Sequence, residues 1–178
     1  MFDIKALPKD CLSLIAQIDR SEHIESLFEV VDGELTNRPA DIDVQRWALE
    51  GDGPNSVQGL VEYLGPILDR GATLLGALEH KTLAGVAIVE EHFEDNMAWF
   101  VFLHVSNAYR RNGVGTALWN EAIERARSAG ADSMYVSATP STSAVGFYIQ
   151  RGCHLAPEPH SALHEAEPDD IHLIATID

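Results

Sequence analysis

At 178 residues the chain is long enough to bury roughly two-thirds of its unfolded surface around one core and short for two, so residues 1–178 are read as a single domain. Lys and Arg number 12 against 28 Asp and Glu, a formal net charge of −16, which argues against a nucleic-acid partner, because phosphate backbones are held by cations clustered over a broad face. No apolar run has the length of a membrane span, Met1-Phe2-Asp3-Ile4-Lys5 lacks the pattern of a signal peptide, and Cys11 and Cys153 have no disulfide-framework or zinc spacing, so a cytoplasmic protein without a membrane partner is expected.

Residues 2–6 read as an opening strand. Residues 8–18 carry Leu12, Ile15, Ala16 and Ile18 at helical spacing behind Pro8 and Asp10, and a helix is expected to continue or restart through residues 21–28. Residues 31–53 hold Gly, Pro and Asp without a clear period and read as connecting loops, with a turn of helix near Trp47, and as a candidate substrate loop. Ser56 is placed to cap a helix with Val57, Leu60, Val61, Leu64, Ile67 and Leu68 on its apolar face, closed by Gly71 and kinked or ended early by Pro66.

Two β-prone runs, 73–79 and 83–91, flank His80-Lys81-Thr82 as a hairpin. The run 98–105 is apolar on both faces, as a strand in mid-sheet covered by helices on either side would be. An amphipathic helix, 114–129, follows, and the next strand, 133–138, is then a parallel neighbour reached by a crossover. A helix starting at Thr139-Pro140-Ser141 and an antiparallel pair, 152–156 with 171–177, close the chain around a Pro-rich acidic loop, 157–170. The expected fold class is α/β, a mixed central sheet of about six or seven strands with helices on both faces.

The connection Arg110-Arg111-Asn112-Gly113-Val114-Gly115-Thr116 carries the chemistry. It joins a strand to a helix start, where backbone N–H groups lack helical partners and the helix dipole favours an anion. Gly113 and Gly115 let the backbone come close to such a ligand, and Arg110, Arg111, Arg125 and Arg127 gather positive charge nearby in an acidic chain. The spacing is neither a dinucleotide fingerprint nor a Walker loop. It resembles the R-x-x-G-x-G acetyl-coenzyme A signature of the GNAT superfamily of N-acetyltransferases, and Phe147-Tyr148 four residues ahead of Gly152 continues the likeness. Residues 73–177 match best and the N-terminal third only loosely.

The resemblance implies transfer of an acetyl group from acetyl-CoA to a primary amine of a small molecule or peptide, by direct attack. It assigns Tyr148 as the general acid that protonates the leaving thiolate, consistent with a phenol of reference pKa about 10. It gives cofactor contacts to the main chain of Leu103 and Val105, to Arg110, Arg111, Asn112, Gly113, Val114, Gly115 and Thr116, and to Ser141, where many members carry asparagine. No spacing selects a general base: His104 and Glu90 stand first, with Glu91, Glu29 and Asp32 as further acids. His160 and His164 lie four apart, but no third ligand is fixed, so no metal is expected. A CoA-binding regulatory or sensor protein on the same scaffold is the alternative, and a homodimer is left open.

Overall fold

The computed structural model describes residues 2–177. A seven-stranded mixed sheet runs in the order β1-β4-β5-β6-β7-β9-β8. Its members are β1 (Asp3–Leu7), β4 (Thr73–Glu79), β5 (Thr82–Glu94), β6 (Met97–Val105), β7 (Ser133–Ala138), β8 (His154–Leu155) and β9 (Ile171–Thr176). Only β6 and β7 pair in parallel, joined by the crossover helix α2 (Val114–Ser128). The apolar runs and glycine turns of the sequence account for this frame, and β6 lies in mid-sheet as its two apolar faces predict.

Each face of the sheet has its own core. On one, α2 and α3 (Thr142–Ile149) cover Ala87, Val89, Ala98, Phe100 and Val136; on the other, a 3₁₀ segment (Lys9–Gln17), α1 (Val57–Asp69) and α4 (Ser161–Ala166) cover Ile88, Trp99 and Tyr135. Ser56 caps α1 by accepting a hydrogen bond from the Gly59 amide at 2.9 Å, a contact worth about 1 kcal/mol. The helix passes through Pro66 to Asp69 rather than ending early. No helix among the described residues is long and apolar enough to cross a membrane.

The N-terminal region differs from the expectation. Residues 21–28 are not helical: β2 (Glu22–Val31) and β3 (Glu34–Val44) form a separate two-stranded ribbon. Ile24, Leu27 and Phe28 imitate helical spacing because β2 packs residues from both of its faces; Ile24 and Leu27, an odd number of residues apart, face opposite ways and both are buried, while most of the ribbon is exposed. Asp32 and Gly33, at φ 51° and 80°, make the two-residue turn between the strands, where left-handed backbone matches strand twist. Pro39 is tolerated because β3 has a partner on one side only. No helical turn forms at Trp47; Ala48 instead makes a parallel bridge to Ser56. At the C-terminus, β9 enters between β7 and β8, and the loop before it contains α4.

Candidate active site

The site begins where two strands part. From Met97 opposite Ser133 to Phe100 opposite Val136, β6 and β7 pair in register; beyond Phe100 that pairing stops, while β6 continues along β5 as far as Val105 opposite Gly85. Residues 101–105 therefore present one backbone edge without a β7 partner, including the N–H and C=O groups of Leu103 and Val105. A bulge at Val101 falls at the same point, since Phe100 and Phe102 stand opposite the adjacent residues Val89 and Ile88. The bulge changes the facing of the strand. Ala98, Phe100, Leu103 and Val105 point to the α2 side, whereas Trp99, Val101 and Phe102 point to the α1 side.

The anion cradle lies beyond the end of β6. Gly113, at φ 82°, is the N-cap of α2, and the helical bonding starts with Ala117 N–H donating to Gly113 O at 2.9 Å. The amides of Val114, Gly115 and Thr116 precede it and point out of the helix end. A Cβ on Gly113 would meet no atom within 4 Å, so the space over the turn is open; one on Gly115 would stand 3.0 Å from Phe147 Cε2, so α2 and α3 approach closely there. Arg111 and Asn112 are exposed beside the turn, Arg111 with left-handed backbone at φ 61°.

The arginines divide by role. Arg110 turns back from the cradle: its Nε donates to Val105 O at 3.2 Å, its Nη2 to Arg20 O at 3.0 Å, and it pairs with Glu22 at 3.4 Å. It ties the free end of β6 to the chain entering β2. Arg125 and Arg127 do not add charge at the cradle as the sequence reading supposed; they lie in the last turn of α2 and bind Glu121 and Glu124. Arg151, which that reading missed, stands over the Phe147 ring with its guanidinium carbon 3.4 Å from the centroid, and it donates to Thr116 Oγ1 and to Phe147 O. Its Nε is buried without a hydrogen-bond partner among the described residues. The four-residue step from Phe147 to Arg151 was the available signal.

Tyr148 is 7% exposed and packs under the fork, edge-on to Phe100 at 6.1 Å between ring centroids and tilted against Trp119 at 5.6 Å. Its hydroxyl has no hydrogen-bond partner among the described residues, and burial raises its pKa, so it stays protonated at neutral pH. His104 lies on the α1 side, 4.7 Å from the Trp47 ring, and burial with Arg20 and Arg110 nearby pushes its imidazole down to about 3. Glu90 is buried and gripped by Arg70 through two bonds of 3.2 and 2.9 Å, which fasten the end of α1 to the sheet. Glu29 pairs with Arg38, Glu91 accepts from Thr73 Oγ1 at 2.6 Å, and Asp32 is in the ribbon turn. Ser141 is buried at the start of α3; it accepts from the Ala144 amide at 3.2 Å, contacts Ser143 and bridges to Leu27.

A family model for the acetyltransferase (GNAT) family matches residues 42–154, from β3 to β8. The chain belongs to that family. It is accordingly an N-acetyltransferase, and the parted strands, the α2 start and α3 are that family's frame in this chain. No curated protein sequence matches it. Among solved structures, nourseothricin acetyltransferase superposes with a TM-score of 0.74 at 20% identity, covering 99% of each chain. A Bacillus anthracis protein described as a streptothricin acetyltransferase, in complex with acetyl coenzyme A, gives 0.72 at 18% identity over 100% of this chain and 99% of its own. PaiA N-acetyltransferase from Thermoplasma acidophilum, in complex with coenzyme A, gives 0.63 at 16% identity over 99% of both. At such identities these likenesses concern the fold.

Proposed function

We propose that this GNAT acetyltransferase moves the acetyl group of acetyl-CoA to a primary amine at the fork between β6 and β7, with Tyr148 as proton donor. The observation that carries the reading is the parting of β6 from β7 after Phe100, which leaves the backbone edge at Leu103 free, with the open helix start at Gly113 beyond the end of β6 and Tyr148 packed against Phe100 where the strands part.

The pantetheine arm carries amide groups, and the backbone groups that this edge of residues 101–105 leaves free, those of Leu103 first, can pair with them as a missing strand would, while Val105 O is held by Arg110. The amides of Val114, Gly115 and Thr116 suit the pyrophosphate, with Arg111, Asn112 and Arg151 at its margin. Ser141 has its hydroxyl committed to the α3 cap and is left out of this set. Attack of a neutral amine on the thioester carbonyl forms the C–N bond and breaks the C–S bond, and the sulfur leaves with its electron pair. A phenol held neutral beside that sulfur supplies the proton. Of the two first candidates for base, neutral His104 with its pKa near 3 has little basicity, and Glu90 is held by Arg70.

Incubation of the protein with acetyl-CoA and a panel of aliphatic amines tests the reading. Nourseothricin is the first acceptor to try, given the likeness to nourseothricin acetyltransferase. The expected result is release of free thiol matched by an acetyl-sized gain in acceptor mass. Tight coenzyme A binding without turnover of any amine would favour the sensor reading.

A further inference from the structure

Two carboxyl groups meet at the end of β7, one residue beyond the point where it leaves β6. Ser137 follows Val136, the last residue of β7 to pair with β6, and shares the face of Tyr135, which packs toward α1. Its Oγ stands 3.1 Å from Glu167 Oε2 and 3.1 Å from Asp170 Oδ2, so one hydroxyl brings the two carboxyl groups together. One hydroxyl proton cannot serve two ionised carboxylates, so a further proton or a cation belongs between them. Tyr63 of α1, 45% exposed, lies within electrostatic reach of both acids. The second observation comes from the other side of the sheet. Tyr148 is more than nine-tenths buried and without a hydrogen-bond partner among the described residues, and after burial the Asp170 charge is among the causes that hold its phenol protonated.

Resting on the acetyl-transfer reading, we propose that Glu167 and Asp170 form the acceptor's ammonium subsite and that Asp170 takes the proton that frees the amine for attack. The class of ligand is an aliphatic primary amine, charged in solution. Its three N–H donors match two carboxyl groups, and its cationic head can lie against the half-exposed Tyr63 ring.

The step balances. The ammonium N–H bond breaks and its proton passes to Asp170. The amine lone pair then forms the C–N bond. The C–S bond breaks with its electron pair on sulfur, which takes the Tyr148 proton, and the second proton lost by nitrogen returns to that phenolate. The products are the amide, the free thiol and one proton, which Asp170 gives to water. Burial and the Glu167 charge hold the Asp170 carboxyl up at about 7, a value suited to this exchange near neutrality. The titratable groups that act on the pair are Asp169 beside it, Tyr63 of α1, Tyr148 of α3 and His172 of β9; Arg70, which acts on Tyr63, is tied to Glu90, and His164 lies against His172.

The test measures kcat/KM for nourseothricin and for spermidine, with acetyl-CoA, from about pH 5.5 to 9 in the parent, Asp170→Asn and Glu167→Gln. Coenzyme A affinity is measured by calorimetry alongside. Asp170→Asn is expected to lose about 10²–10⁴-fold in kcat/KM and the limb that rises toward neutral pH, with coenzyme A affinity unchanged. Glu167→Gln removes the neighbouring charge, so its limb moves to lower pH; should Asp170→Asn not fold, this shift carries the test, and an unmoved limb contradicts the proposal. An Asp170→Asn enzyme with the parent's limb and kcat/KM within about threefold overturns the subsite while leaving acetyl transfer standing. A parent inactive on both probes and on the rest of the amine panel overturns the acetyl-transfer reading, and the subsite with it.

Discussion

Arg151 lies over Phe147, its guanidinium carbon 3.4 Å from the ring centroid, and from there reaches Thr116 in the first turn of α2. This contact fixes α3 against the helix start that receives the cofactor phosphates in our reading. Arg151→Ala and Arg111→Ala are each expected to weaken coenzyme A more than pantetheine, because only coenzyme A carries phosphates. Calorimetric titration with both ligands checks this. Equal losses would mean that the arginines act on the fold alone.

Arg110→Ala should behave differently. Its guanidinium bonds to Val105 O and Arg20 O, so its removal leaves the end of β6 untied and costs about 1.5–3 kcal/mol of stability. Denaturant unfolding would show a lowered midpoint. Pantetheine and coenzyme A affinities should then fall together, since the free β6 edge serves the arm they share.

Gly113→Glu tests the cradle. Its positive φ is unfavourable for a side chain, and the open space over the turn would receive a carboxylate where an anion is proposed to sit. Thermal unfolding should show a folded protein, and coenzyme A should no longer bind. Tight binding by the folded variant would place the phosphates elsewhere.

The sheet and the helix start were legible because their residues obey local rules, whereas the parting of β6 from β7 was expected only from the family resemblance. The run from Met97 to Val105 is apolar on both faces, and Gly113 and Gly115 mark a turn no other residue type suits as well. The ribbon was not, since Ile24, Leu27 and Phe28 copy a helical period and Pro39 argues against a strand; Asp32-Gly33 was the overlooked hairpin signal. Side-chain partners chosen across the fold were out of reach. Sequence distance put Arg125 near the cradle, whereas the helix carries it to the far end, and nothing local announces that Ser137 joins Glu167 to Asp170.

Two groups impose opposite pH dependence on stability. Asp170 has an ordinary value of 3.8 and about 7 in the fold, so between these the native state keeps a proton that the unfolded chain has lost, and stability falls as pH rises from about 4 to 7. His104 has an ordinary value of 6.5 and about 3 in the fold, so its contribution is lost as pH falls through that window. Asp170→Asn should therefore gain Tm over the parent, and gain more at pH 8 than at about pH 5. His104→Gln should lessen the acid-side decline. Calorimetric Tm values across pH would contradict this if the Asp170→Asn difference stayed constant.

The most direct measurement is the single-turnover rate of acetyl transfer in Tyr148→Phe. The substitution keeps the ring against Phe100 and Trp119 and removes only the unpartnered hydroxyl. Affinity for acetyl-CoA should hold, while the chemical step slows about 10²–10⁴-fold, equivalent to about 3–5 kcal/mol of transition-state stabilisation. A single-turnover rate equal to the parent's, with an amine the parent acetylates well, would contradict proton donation by Tyr148 at the fork.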